Sequence, residues 1–114
     1  MSDCIFCKII NKEIPAEIIY EDENLLAFKD INPVSSIHIL IIPKRHISTL
    51  LDLTDEDTDL VGQIVLVAKK LAEELGLENK GFRLVSNCRE DGGQTVYHIH
   101  FHLLGGRAFT WPPG

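Results

Sequence analysis

Apolar and polar positions alternate, cluster or recur at helical spacing along this chain, and each pattern predicts an element. Ile5 to Ile10 is a short amphipathic segment, broken by Ile14-Pro15-Ala16. Glu17-Ile18-Ile19-Tyr20 and Leu25-Leu26-Ala27-Phe28-Lys29-Asp30 flank the polar turn Glu21–Asn24 and predict a hairpin. Ser36 to Ile42 is a β-branched apolar run, the mark of a strand buried on both faces, interrupted by His38. Thr54 is a good N-cap, followed by Asp55-Glu56-Asp57, a solvated acidic start that complements the helix dipole. Leu60, Val61, Ile64, Val65, Ala68, Leu71, Ala72 and Leu75 then recur at helical spacing until Gly76, which predicts one scaffold helix of about 21 residues, roughly 30 Å long. Gly81 to Asn87 reads as another strand, and Asp91-Gly92-Gly93-Gln94-Thr95 as a tight loop feeding a last one.

That last strand is His98-Ile99-His100-Phe101-His102-Leu103-Leu104. Successive side chains of a strand face opposite ways. The three histidines therefore share one face, and Tyr97, Ile99, Phe101 and Leu103 form a core-facing row on the other. A lone histidine is usually structural; three in register point to chemistry. Three imidazoles at this spacing are spread over roughly 13 Å, too far for all of them to reach one ion, so a catalytic zinc held by the row is disfavoured.

Composition narrows the remaining choices. A chain of 114 residues is expected to form a single domain, residues 1–114, able to bury a core. A net charge of −6 argues against non-specific nucleic-acid binding. No apolar run reaches the length of a membrane span, and Met1-Ser2-Asp3-Cys4 does not resemble a secretion signal. Three cysteines in such a chain fit a reducing cytoplasm, where thiols bind metal or stay reduced. Cys4-Ile5-Phe6-Cys7 can supply two thiolates to a tetrahedral zinc. A redox pair and plain packing of two small hydrophobes compete with that use. Cys88 matches no motif.

Other residues are candidates for ligand contacts. Phe28 and Asp30 share a strand face and suit a nucleoside: packing for the base, a carboxylate for ribose hydroxyls. Core packing and a turn before Asn32-Pro33 are the simpler uses. Asn87, at a strand end, can donate to a phosphate or ribose oxygen, although asparagine also favours turns. The paired glycines, Gly93 among them, allow close approach of N–H groups to an anion, with the Thr95 hydroxyl adjacent; a hairpin turn would equally explain them.

The row His98-Ile99-His100-Phe101-His102-Leu103-Leu104 resembles the His-x-His-x-His-x-x signature of the histidine triad superfamily of nucleotide hydrolases and transferases. Its flanks, Asp91–Tyr97 and Leu104-Gly105-Gly106-Arg107, and the tail Trp111-Pro112-Pro113-Gly114 resemble the Hint branch. The likeness runs from Cys4 to Gly114. It implies an α+β fold: an antiparallel five-stranded sheet with one long helix and a short N-terminal helix. It implies hydrolysis of the P–N bond of adenosine or other purine nucleoside 5′-phosphoramidates through a nucleotidyl-histidine on His100. His102, Thr95 and His38 would be the supporting catalytic residues, His38 lying behind the nucleophile and ordering it. Phe6, Phe28, Asp30, Ile31, Asn87, Gly93, Thr95, His100, His102 and Trp111 would contact an AMP- or GMP-like ligand. Cys4, Cys7, His46 and His98 would hold a structural zinc, with no catalytic metal required. A cytoplasmic homodimer is implied, with continuous sheets and the tail near the partner's site. Related proteins usually carry Ser where Thr95 stands. A dinucleoside polyphosphate hydrolase of the Fhit type and a non-catalytic nucleotide-binding scaffold are the alternatives.

Overall fold

The computed structural model describes residues 3–114. Its elements are α1 (Ile5–Ile10), β1 (Ile18–Glu21), β2 (Leu25–Lys29), β3 (Ile37–Pro43), α2 (Thr58–Glu74), β4 (Arg83–Val85), a short α3 (Arg89–Gly92) and β5 (Phe101–Gly105). The five strands form one antiparallel sheet in the order β1-β2-β3-β5-β4. The expected α+β architecture, with one long helix and a short N-terminal one, is what the chain adopts.

The two sheet faces bury different partners. Leu25, Ala27, Ile39, Ile41 and Leu103 pack with Ile64, Val67, Ala68, Leu71 and Ala72 of α2. Leu26, Phe28, Leu40 and Ile42 pack with Phe6 and Ile9 of α1. α1 has only six residues, so the second face is only partly covered. The even-numbered side chains of β3 and β5 point there, which places His38 and His102 beside that gap.

β1 and β2 form the expected hairpin, and β3 pairs along the whole length of β2, so that Leu25 through Phe28 are all buried. Four expectations change. α2 has 17 residues, and Thr54 caps a preceding 3-10 turn, Asp55–Asp57, by accepting the N–H of Glu56. Within that turn Asp57 is buried, paired with Arg45 and bonded by the N–H of Thr54, so it is not a solvated charge. The buried stripe of α2 takes Val67 in place of Val65 and Leu75, which are 46% and 40% exposed.

The fourth concerns the triad. Pairing in β5 begins only at Phe101, and His98 to His100 precede the ladder. Ile99 N–H donates to the Ile47 carbonyl at 2.7 Å and anchors this stretch. Ile99 and Leu103 are buried as expected, but Tyr97 is 43% exposed and lies outside the core. Gln94 holds the incoming loop. Its amide donates to the carbonyls of Ser48 and Val96, and its oxygen accepts the N–H of Arg89. The glycine pair serves α3: Gly92 ends the helix and Gly93 caps it at φ 83°, a left-handed conformation costly for other residues.

Candidate active site and metal centre

His100 sits between two groups of side chains. Its ring is buried, edge-on to Phe6 at 5.0 Å and to His102 at 5.0 Å between centroids. Its Nδ1–H donates to the main-chain carbonyl of His98 at 2.8 Å. A neutral imidazole with a proton on Nδ1 carries its lone pair on Nε2. Burial lowers the pKa of His100 below the ordinary imidazole value, so that lone pair is available at neutral pH. The hydroxyl of Ser86 donates to the His100 carbonyl at 2.9 Å and fixes the main chain there.

On one side lie His102, His38 and Asp30. The main-chain N–H of Val34 donates to His38 Nδ1 at 3.1 Å. The His38 proton is therefore on Nε2, which donates to His102 Nδ1 at 2.9 Å. His102 in turn carries its own proton on Nε2. Burial, reinforced by His100 and His38, pushes His102 down to about 4, so it is neutral at physiological pH. Asp30 Oδ2 stands 3.3 Å from His38 Nε2, while Oδ1 accepts the N–H of Asn32 at 2.8 Å. His38 thus orders His102; the expectation that it lies behind His100 is corrected. Pairing of Leu40 with His102 and of His38 with Leu104 sets these two rings beside each other.

On the other side lie Cys4, Cys7, His46 and His98, whose four donor atoms are all within 4.8 Å of one another. His98 Nε2–H donates to the Pro43 carbonyl at 2.7 Å, which turns the Nδ1 lone pair toward the cysteines. His46 Nε2 meets the Ser48 hydroxyl at 3.3 Å, leaving its Nδ1 for the same centre. The separations are 3.5 and 3.6 Å from His98 Nδ1 to the two sulfurs, 3.3 Å from Cys7 Sγ to His46 Nδ1, and 3.2 Å between the two nitrogens. Zinc bonds of about 2.0–2.3 Å in a tetrahedron separate ligand atoms by about 3.3–3.8 Å. The donor set and its spacing fit a closed zinc site.

The remaining candidates are scattered by comparison. Phe6 and Phe28 are 5% and 3% exposed, edge-on to each other at 5.5 Å. Both rings pack in the core cluster on the His100 side of the sheet. Ile31 and Trp111 are 89% and 81% exposed. Thr95 is exposed and borders a cavity shared with Cys4, His46 and Ser48. Asn87 lies past the end of β4, half-buried, next to Gly92. Ser86, Ser48, Gln94 and the main-chain groups of Pro43 and Val34 were not among the expected residues. Two of these contacts are made by main-chain atoms, which no side-chain pattern displays.

One neutral imidazole is thus presented at the start of an inner strand, between a hydrogen-bonded histidine pair and a metal-type cluster. The HIT domain family model matches residues 11–109, and the chain belongs to that family. A HIT family hydrolase from Legionella pneumophila Philadelphia 1 has a solved structure that superposes with a TM-score of 0.97 at 56% identity, covering 98% of this chain and 100% of that one. The 14 kDa zinc-binding protein of Zea mays is 50% identical over 99% of this chain and 89% of its own length. The histidine triad nucleotide-binding protein of Candida albicans superposes with a TM-score of 0.83 at 38% identity, covering 96% and 83%.

Proposed function

We propose that the chain is a Hint-type purine nucleoside phosphoramidase. His100 Nε2 attacks the phosphorus of a nucleoside 5′-phosphoramidate, displaces the amine and forms a nucleotidyl-histidine that water cleaves. The observation that carries this is the bond from His100 Nδ1–H to the His98 carbonyl, which leaves the nucleophilic lone pair on Nε2. Splitting one displacement into two is the contribution of covalent catalysis. His102, with its proton on Nε2, donates to a phosphoryl oxygen, and Thr95 adds a hydroxyl. Asp30 receives ribose hydroxyls through its Oδ2. Phe6 and Phe28 form the floor under the base, Ile31 its flank, and Gly93 with Asn87 borders the phosphate side.

Cys4, Cys7, His46 and His98 hold one structural zinc. The zinc-binding maize relative supports the metal, and the tautomer of His98 with the inward placement of His46 Nδ1 supports this ligand set. No second ion is required at the phosphate, because neutral imidazole donors face it. A homodimer joined at the β4 edge is part of the proposal. Phe82 beside that edge is 42% exposed and Leu66 on α2 is 65% exposed. An open edge with an exposed aromatic beside it favours pairing with a second copy. Trp111 would then reach the partner's site on the leaving-group side.

The test is turnover of an adenosine phosphoramidate by the wild type and by His100→Ala. The variant is expected to lose activity by several orders of magnitude while binding AMP within a few-fold. A variant that keeps a sizeable share of the rate removes His100 from the role of nucleophile. Wild-type protein that binds AMP without turnover favours the scaffold alternative, and selective cleavage of dinucleoside polyphosphates favours the Fhit-like one.

A further inference from the structure

Cys4 and Cys7 sit on one turn of α1. Cys4 is its N-cap, and Cys7 N–H donates to Cys4 Sγ at 3.4 Å, so the sulfurs face the same side of the helix. Both are half-buried. A cavity of about 510 Å³, lined by Asp3, Cys4, His46, Ser48 and Thr95 among others, opens onto the Cys4 and His46 side. A small oxidant can reach the thiolates, and the sulfurs, within 4.8 Å of each other, can close to the roughly 2.05 Å of a disulfide.

We propose that Cys4 and Cys7 form an oxidation site through which a peroxide releases the metal and disengages His100. This rests on the reading of the four residues as a zinc site and of His100 as the nucleophile. The step balances. Two thiolates give up two electrons to the O–O bond of hydrogen peroxide, a sulfur–sulfur bond forms, two protons from solvent complete two waters, and Zn²⁺ leaves. The pair acts on its own chain and transfers no electrons to a client protein.

Two connections carry the effect to His100. The His98 ring is tied by Pro43 at Nε2 and, when metal is bound, by the ion at Nδ1, and the carbonyl of the same residue accepts His100 Nδ1–H. Phe6, flanked in sequence by the two cysteines, packs on His100 at 5.0 Å and His98 at 5.9 Å. Once the ion leaves, His46 Nδ1 and His98 Nδ1, 3.2 Å apart, are no longer held to a common centre. His98 then keeps one anchor instead of two, and α1 no longer seats Phe6 through the metal. Phe6 and His98 are positioning residues in this scheme.

The experiment uses zinc-loaded protein carrying Cys88→Ser, which limits the thiols to the pair. Turnover of an adenosine phosphoramidate before oxidation tests the underlying nucleophile reading by itself. Hydrogen peroxide is then titrated. Zinc release is followed with a chromogenic chelator, the disulfide by mass, the folded fraction by circular dichroism, and the His100 tautomer by nitrogen-15 NMR. Zinc and disulfide are expected to appear together, one of each per chain. The Nδ1–H signature of His100 is expected to be lost, kcat/KM per folded molecule to fall at least tenfold, and thiol reductant with zinc to restore both. Thiols that stay reduced, or a disulfide and zinc loss that leave rate and tautomer unchanged, overturn the proposal. If the oxidised chain unfolds, Cys4→Ser with Cys7→Ser decides: its folded fraction should show the same loss and ignore peroxide, and a wild-type rate there overturns the proposal. Should the reduced holoprotein turn over no phosphoramidate, the nucleophile reading fails, while zinc release and the His100 signal still judge the oxidation site.

Discussion

Two clusters of ligand-type side chains flank His100, and they differ in where their protons are. Asp30, His38 and His102 come as close together as Cys4, Cys7, His46 and His98 do. In the first group a main-chain N–H from Val34 occupies one nitrogen of His38, which forces a proton onto the other. The contact from His38 to His102, 2.9 Å, is a hydrogen bond and is shorter than the edge of a zinc tetrahedron. In the second group the Pro43 carbonyl takes the outward proton of His98 and leaves its inward nitrogen as a lone pair, while the Ser48 hydroxyl, which can donate or accept, meets the outward nitrogen of His46. The atom behind a histidine decides whether it becomes a relay or a ligand. Proximity of donors alone does not separate the two.

Metal content gives the largest effect that can break this comparison. Purified protein is expected to contain one zinc per chain, and Cys7→Ser to lose it. Asp30→Asn is expected to leave the content unchanged. Because such a site is unlikely to exist in the unfolded chain, its metal stabilises folding. A loss of about 2 kcal/mol would lower the melting temperature of a chain this size by roughly 8 °C or more. Metal in the Cys7→Ser protein that disappears on changing Asp30 would reverse the assignment of the two clusters.

Much of this site was legible in the spacing of residues, and the remainder was not for a definable reason. Alternation put three histidines on one side of the chain, and Cys-x-x-Cys marked a metal-type pair. His46 has no periodicity or neighbour that singles it out, and only the family likeness connected it to the cysteines. The tautomers depend on the carbonyls of Pro43 and His98 and on the N–H of Val34, groups that every such residue has. Register brought them into contact, and register is a tertiary property. The same limit applies to Asp57, which reads as one of three exposed acids until Arg45 covers it. Alternation predicts a strand from His98, but pairing starts only at Phe101, because His98 to His100 have strand-like alternation without a neighbouring strand to pair with.

Asp30 sharpens the comparison at a smaller scale. If its Oδ2 receives ribose hydroxyls, Asp30→Ala should weaken a ribonucleotide by about 1.5–3 kcal/mol, on the order of ten- to a hundredfold. A 2′,3′-dideoxy analogue should be weakened far less. Equal loss for the two ligands, measured by calorimetry, would make Asp30 only a partner of His38 and the Asn32 turn.

Acid provides the smallest test, and taken as a difference between two proteins it addresses the relay alone. Burial is the main cause that lowers His38 and His102, with His102 reaching about 4, whereas Asp30 pulls both the other way. In the unfolded chain each imidazole returns to about 6.5. Between those values the unfolded state binds more protons, so stability falls as pH falls. The part due to His102 is fully present above about 6.5 and lost by about 4. Zinc release at low pH adds its own loss, so the informative quantity is a difference: the melting temperature of the wild type minus that of His102→Gln, with zinc content monitored in both. Glutamine has no proton to gain, and this gap should shrink steadily from pH 7 to 4.5. A gap that stays constant would mean that His102 accepts a proton in the folded state as readily as in the unfolded one. Burial would then not hold His102 neutral, and the relay would lose the property that distinguishes it from the metal cluster.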